Sequence, residues 1–229
     1  MAHETLRLEA HGRGYRMRWP VAHEGDQAAG KIANCMRDGR PYEQPLLEHI
    51  YQQRFVGLAV DAGANIGNHT LWFAAVCGLR VVAYEPIWTD QLRANVELNK
   101  LDGRVTIEPV ALGVAEGVAI RQGRGRLVPD GTGHSPPGPN RFPVRTLDSF
   151  DLTGVALIKI DVEGMEAAVL RGGETTIRRD RPVIFVEEWG GAERNTTAAV
   201  LEPWGYTAGQ VFRGTRHAAP VRRWDPRVY

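Results

Sequence analysis

A short apolar run, Leu58 to Val60, leads into Asp61-Ala62-Gly63-Ala64-Asn65-Ile66-Gly67, and an amphipathic pattern over Asn68 to Val76 follows at once. A strand that ends in a glycine-rich bend and opens onto a helix is the start of a crossover unit. The glycines let the backbone turn tightly and approach a ligand closely. From this point the rhythm of apolar strand, turn and helix repeats, with connections short enough for parallel crossovers. Strands are expected at Leu58 to Val60, Arg80 to Tyr84, Val105 to Pro109, Val155 to Ile160 and Val183 to Val186. Each is apolar on successive positions, as in strands covered on both faces, so the fold class is α/β around a mostly parallel sheet.

Helices are expected over Asn68 to Val76, Asp90 to Lys100 and Glu163 to Arg171, the first stopped by Gly78 and the third by Gly172-Gly173. Upstream, Leu6 to Trp19 reads as a hairpin, and Leu46, Leu47, Ile50 and Tyr51 give helical spacing over Gln44 to Arg54. The stretch from Gly117 to Arg145, rich in glycine and proline, reads as a long loop. A helix at Thr196 to Leu201 and a hairpin over Tyr206 to Val221 complete the sheet. At 229 residues the chain fits one large α/β domain, read as an N-terminal hairpin and helical extension (1–41) followed by the main domain (42–229).

The bend has the spacing G-x-x-x-G, which departs from the G-x-G-x-x-G of dinucleotide binders, and no Gly-Lys-Ser or Gly-Lys-Thr follows it. Glu85 stands 24 positions beyond Asp61, at the end of the next strand. A carboxylate there accepts hydrogen bonds from both ribose hydroxyls and selects an adenosine without a 2′-phosphate. The net charge of +1 gives no global field for nucleic acid. Locally, Arg213, Arg216, Arg222, Arg223 and Arg227 cluster near the C-terminus, read either as a grip for an anionic group or as a solvated edge. Two widely spaced cysteines, Cys35 and Cys77, and the lack of a long apolar run or signal segment point to a reducing, cytoplasmic setting away from membranes.

Val60 to Gly67, Tyr84-Glu85-Pro86, Arg145-Thr146-Leu147-Asp148 and Ile158-Lys159-Ile160-Asp161-Val162-Glu163-Gly164 together resemble the FkbM family of methyltransferases in residues, order and spacing. The resemblance runs from about Tyr42 to Trp189 and is most specific over Lys159 to Gly164. It implies a Rossmann-like class I methyltransferase fold, a seven-stranded sheet with helices on both faces, and S-adenosylmethionine as methyl donor. By that likeness Asp61, Gly63, Asn65 and Gly67 flank the methionine part, Glu85 holds the ribose with Pro86 beside it, and Pro109 to Leu112, including Ala111, line the adenine. Tyr42 and Glu43 resemble an element that closes over the donor, and read equally as the start of the helix that follows.

Methyl transfer from a sulfonium is an in-line displacement, so such a site aligns nucleophile and methyl and removes a proton when the nucleophile is a hydroxyl. Lys159, Asp161 and Glu163 alternate and would share one face of an extended strand, either as catalytic groups or as a buried ion pair that holds the sheet. Two mechanisms remain open. In one, Asp161, Glu187 and Glu188 bind Mg²⁺, which acidifies the acceptor. In the other, without metal, Lys159, Asp161 or His134 is the base, the lysine through a pKa lowered by burial. His69 is read as a helix-start residue and stands outside the catalytic set.

The resulting expectation is O-methylation of a hydroxyl on a small-molecule natural product, nucleoside or sugar. Methylation of an RNA ribose or terminus, and a non-catalytic module that only binds an adenosyl ligand, are the alternatives. Nucleic acid is the less favoured partner, and homo-oligomerisation is left open.

Overall fold

Five apolar runs pair side by side because strands buried on both faces have no other way to satisfy their backbone groups. In the computed structural model, which describes residues 3–20, 33–122, 126–129, 140–188, 190–213 and 220–226, these runs are β3 (Leu58–Ala62), β4 (Arg80–Tyr84), β5 (Val105–Glu108), β10 (Val155–Ile160) and β11 (Val183–Glu187). All five are parallel to one another. β12 (Tyr206–Phe212) and β13 (Val221–Pro226) complete a seven-stranded sheet of order β12-β13-β11-β10-β3-β4-β5. β13 runs antiparallel to both of its neighbours, so the sheet is mixed.

Alternation along the strands sends side chains to two layers. Val60, Ile158, Ile160, Ile184 and Val186 belong to one core cluster, on the side of α4 (Glu166–Gly172) and α5 (Glu174–Asp180). Ala59, Leu157 and Phe185 belong to the other, together with α1 (Gln44–Gln52) and α2 (Asn68–Leu71). α2 continues as a π-helical turn over Trp72–Val76, in which Cys77 N–H reaches back to the Trp72 carbonyl at 3.0 Å. The expected Asn68 to Val76 helix is thus present but widened, which seats the fully buried Trp72 edge-on against Tyr15.

Tyr15 comes from the N-terminal hairpin, β1 (His3–Ala10) and β2 (Arg13–Pro20). The two-residue turn His11-Gly12 has positive φ at both positions, as the right-handed twist of the strands demands. The outer edge of β2 is met by α3 (Thr89–Leu98) and its C-cap: Asn95 Oδ1 accepts from Arg18 N–H at 2.6 Å and Asn99 Oδ1 from Arg16 N–H at 2.7 Å. The buried Asn95 also donates to the Ile66 carbonyl at 2.8 Å, which ties the hairpin to the glycine bend.

Two expectations are corrected. The Gly117 to Arg145 stretch is not one long loop. It contributes β7 (Gly117–Gln122), β8 (Arg126–Pro129) and β9 (Arg141–Arg145), which form a second sheet with β6 (Ala111–Leu112) in the order β6-β9-β7-β8. These strands are short, and apart from the β7–β8 hairpin their pairing joins distant segments, so no periodic signal marks them. The helix expected from Glu163 begins at Glu166, because Glu163 and Gly164 both have positive φ, 57° and 100°, and make a turn. Among the described residues no helix is long and apolar enough to cross a membrane.

Candidate active site

At the carboxyl ends of β3, β4, β10 and β11 lies a cavity of about 500 Å³, within the range of small-molecule sites. The bend after β3 forms its floor. Gly63 has φ 82°, and a Cβ there would stand 1.8 Å from the Asp161 carbonyl oxygen, so close approach of the β10 end requires glycine before any ligand enters. Asn65, itself at φ 51°, donates its N–H to Glu85 Oε2 at 2.9 Å.

Glu85 is the best-held acid of the site. Its Oε1 accepts from the N–H groups of Ile87 at 2.6 Å and Trp88 at 2.9 Å, so three backbone donors fix one carboxylate at the cavity wall. Burial pushes its pKa above the ordinary carboxylate value, while the Trp88, Ile87 and Asn65 N–H groups pull it back. The facing wall is apolar: Val110, Ala111 and Leu112 from the β6 region, Leu127 from the second sheet, and Met165. An apolar wall and a carboxylate fixed by three backbone donors thus border the same cavity.

At the other end the charges gather. Register places Lys159 on β10 directly beside Asp61 on β3, and the same alternation brings Glu187, at the end of β11, to this face. The fully buried Lys159 Nζ meets Asp161 Oδ2 at 2.9 Å. Burial by itself would lower the ammonium pKa, but the carboxylates of Asp161, Glu43, Glu187 and Asp61 overturn that and hold it above the ordinary lysine value. Asp161 is desolvated too, yet Lys159 and a hydrogen bond with Glu187 hold its pKa below the usual value. Glu187 takes the opposite course, pushed up to about 10 by burial and by the Asp161 charge, so it carries a proton at neutral pH.

A second pair closes this end. His69, in the first turn of α2, lines the cavity, and its Nε2 lies 2.9 Å from Glu43 Oε2. Glu43 caps α1 with φ 56°, and Asn68 Nδ2 donates to the Tyr42 carbonyl at 3.1 Å, so the 42–43 turn is anchored to the start of α2.

Residues 61–204 match the methyltransferase FkbM domain. The chain belongs to the FkbM methyltransferase domain family. No curated protein matches it. Among solved structures it is similar to the methyltransferase FkbM from Methylobacillus flagellatus KT, at 19% identity and a TM-score of 0.58 over 86% of this chain. It covers 54% of that protein, about half of its length. It is also similar to a putative rRNA-methylase from Clostridium thermocellum, at 15% identity and a TM-score of 0.52, covering 81% of this chain and 94% of the other. At these identities both likenesses concern the fold.

Within the FkbM domain, Gly63, Asn65, Glu85, Pro86, Ala111, Asp161, Glu163 and Glu187 line the cavity. Asp61, Gly67 and Glu43 stand behind its wall. Asp61 is fully buried and accepts from Thr70 Oγ1 at 2.6 Å, with Oδ1 left without a donor among the described residues. Gly67, at φ 104°, caps α2 and packs on Leu92. Glu43 is turned to His69.

Four readings change. Glu163 does not continue the Lys159–Asp161 alternation, because β10 ends at Ile160 and the chain turns at Glu163. Lys159 cannot be a base of lowered pKa, since its carboxylate neighbours raise it. Glu188 does not join Asp161 and Glu187: its oxygens bond Arg222 Nε at 2.9 Å and Trp224 Nε1 at 3.4 Å, in the opposite layer. In the basic C-terminal cluster Arg222 is held by Glu188 and Arg223 by Asp225 at 2.7 Å, so neither is an open grip, while Arg213 is exposed. His134, Arg216 and Arg227 lie outside the described residues.

Sequence reasoning missed Trp19 and Met36, which line the cavity from segments upstream of the family match, and it left out His69. For His69 the signal was available: it lies two residues past the last glycine of the bend, in the first turn of the helix that opens beside the cavity.

Proposed function

We propose that this FkbM domain is an S-adenosylmethionine-dependent O-methyltransferase whose acceptor is a hydroxyl on a small-molecule natural product, nucleoside or sugar. The observation that carries the proposal is the charge of the cavity. Its described lining includes the carboxyl groups of Glu85, Asp161, Glu163 and Glu187, of which Asp161 is paired with the buried Lys159 behind the wall and Glu187 is protonated, and no lysine or arginine. Such a lining favours the net positive charge of a sulfonium amino acid and opposes the phosphates of RNA. Together with the carboxylate clasped at Glu85, these features fit an adenosyl sulfonium.

A magnesium ion fits less well. Asp161 is paired with the buried Lys159 ammonium at 2.9 Å, and Glu188 is turned to Arg222 in the opposite layer. Among the described residues no three His, Cys, Asp or Glu side chains are grouped to hold a metal. The reaction proposed here therefore runs on the chain's own groups.

Isothermal titration with S-adenosylmethionine, S-adenosylhomocysteine and NAD tests the donor, and a methyl-release assay over sugars, nucleosides and phenols tests the acceptor. Binding of both adenosyl ligands without NAD, followed by methylation of a hydroxyl, is the expected result. Binding of NAD alone would end this reading, and methyl-donor binding with no turnover on any acceptor would leave a binding module.

A further inference from the structure

We propose that His69 is the general base of the transfer and that Glu43 is its positioning residue. The inference rests on the methyltransferase reading above and adds the group that takes the acceptor's proton. His69 Nε2 faces a carboxylate at 2.9 Å, and a carboxylate can only accept, so the ring proton sits on Nε2. The lone pair is then on Nδ1. That nitrogen makes no hydrogen bond among the described residues, and the ring lines the cavity. An imidazole that lines a cavity, with one nitrogen oriented by a buried carboxylate and the other without a hydrogen-bond partner among the described residues, is the arrangement of an activated base.

The other titratable groups at this end are already committed. The titratable groups gathered at this end are Tyr42 and Glu43 at the head of α1, Asp61 on β3, Lys159 and Asp161 at the end of β10, and Glu187 at the end of β11, and burial with these carboxylates holds the Tyr42 phenol above its ordinary value. Lys159 stays an ammonium, Glu187 holds its own proton, and Asp161 is spent on both.

In the step proposed, an acceptor hydroxyl donates to His69 Nδ1. Its oxygen forms the bond to the methyl carbon, the carbon–sulfur electron pair returns to sulfur, and the proton stays on Nδ1. Glu43 stabilises the resulting cation without taking its proton, and the imidazolium later releases the proton to water.

An acceptor-free experiment comes first: ¹⁵N-histidine NMR on the protein saturated with S-adenosylhomocysteine. The expected signal for His69 is the Nε2–H tautomer. A proton on Nδ1 overturns the proposal whatever the acceptor is. With an acceptor from the methyl-release panel, His69→Asn is expected to lower kcat by about 10²–10⁴-fold while the affinity for S-adenosylhomocysteine stays within threefold. Glu43→Gln should lose about tenfold or more and move the acid limb of the pH–rate profile to lower pH, and Glu43→Asp should recover part of the loss. Turnover of His69→Asn with an unchanged pH profile sinks the proposal and leaves the methyltransferase reading standing. Absence of S-adenosylhomocysteine binding in the native protein sinks that reading instead.

Discussion

Lys159 and Asp161 are two positions apart at the end of β10, and their charged groups meet at 2.9 Å with the lysine wholly shut off from water. Between them the backbone passes from the buried sheet to the cavity, so the pair links core to site. Lys159 acts there as a fixed positive charge beneath a ring of acids, the reverse of a lysine activated by desolvation.

Removing that charge leaves Asp161, Asp61 and Glu43 without their counter-ion. Lys159→Met should destabilise the fold by about 3–5 kcal/mol, read from urea unfolding. Combining it with Asp161→Asn should recover part of the loss, because one stranded carboxylate goes with it. Strictly additive losses would show that the two residues do not act as a pair.

Glu187 gives the pH dependence. Its folded pKa is raised to about 10 from an ordinary value of 4.5, so the folded state keeps a proton that the unfolded chain releases. Its contribution to stability is complete below about pH 4.5 and drains away as pH rises toward 10. The Glu187→Gln amide cannot ionise, so the melting temperature of the variant relative to the native protein should climb from pH 5 to pH 9. A constant difference across that window would contradict the buried protonated carboxyl.

Glycine at the bend is tested by order of loss. Gly63→Ala forces a Cβ to 1.8 Å from the Asp161 carbonyl oxygen at φ 82°, whereas Gly67→Ala meets only the movable Leu92 Cδ1 at 2.8 Å. Left-handed strain alone costs about 1–3 kcal/mol at each. The backbone clash comes on top at Gly63, which should unfold at distinctly lower urea; equal midpoints would refute the close approach.

Glu85→Gln keeps the shape of the side chain but turns one oxygen into a donor facing N–H groups. Hydrogen bonds to a charged group are worth about 1.5–3 kcal/mol, so affinity for S-adenosylhomocysteine should fall about 10- to 100-fold. A dissociation constant within twofold of native would remove Glu85 from the ribose.

Since the acid cluster is neutralised from within, adding a chelator to the methyl-release assay should leave turnover within twofold. Loss of activity that magnesium restores would reinstate the metal mechanism.

The strands Arg80–Tyr84 and Val155–Ile160 were legible to the residue, because a strand covered on both faces writes its burial into consecutive positions. The bend and Glu85 were legible for a related reason: a tight turn after a strand admits few residue types, and the acid falls at a set distance along the chain. The second sheet left no such trace. Its wall of Leu127 and Ala111 depends on strands that find their register only against one another. Nor could the chain announce that Glu43 and His69, 26 positions apart, would share a hydrogen bond, or that Glu188 would turn to Arg222 while Glu187 faced the cavity. The sequence by itself determined the α/β core and the glycine bend, since periodicity and turn chemistry are local. Which acids are charged, which is protonated and which nitrogen stands open were decided by the tertiary structure, since those depend on burial and on charges brought together from distant segments.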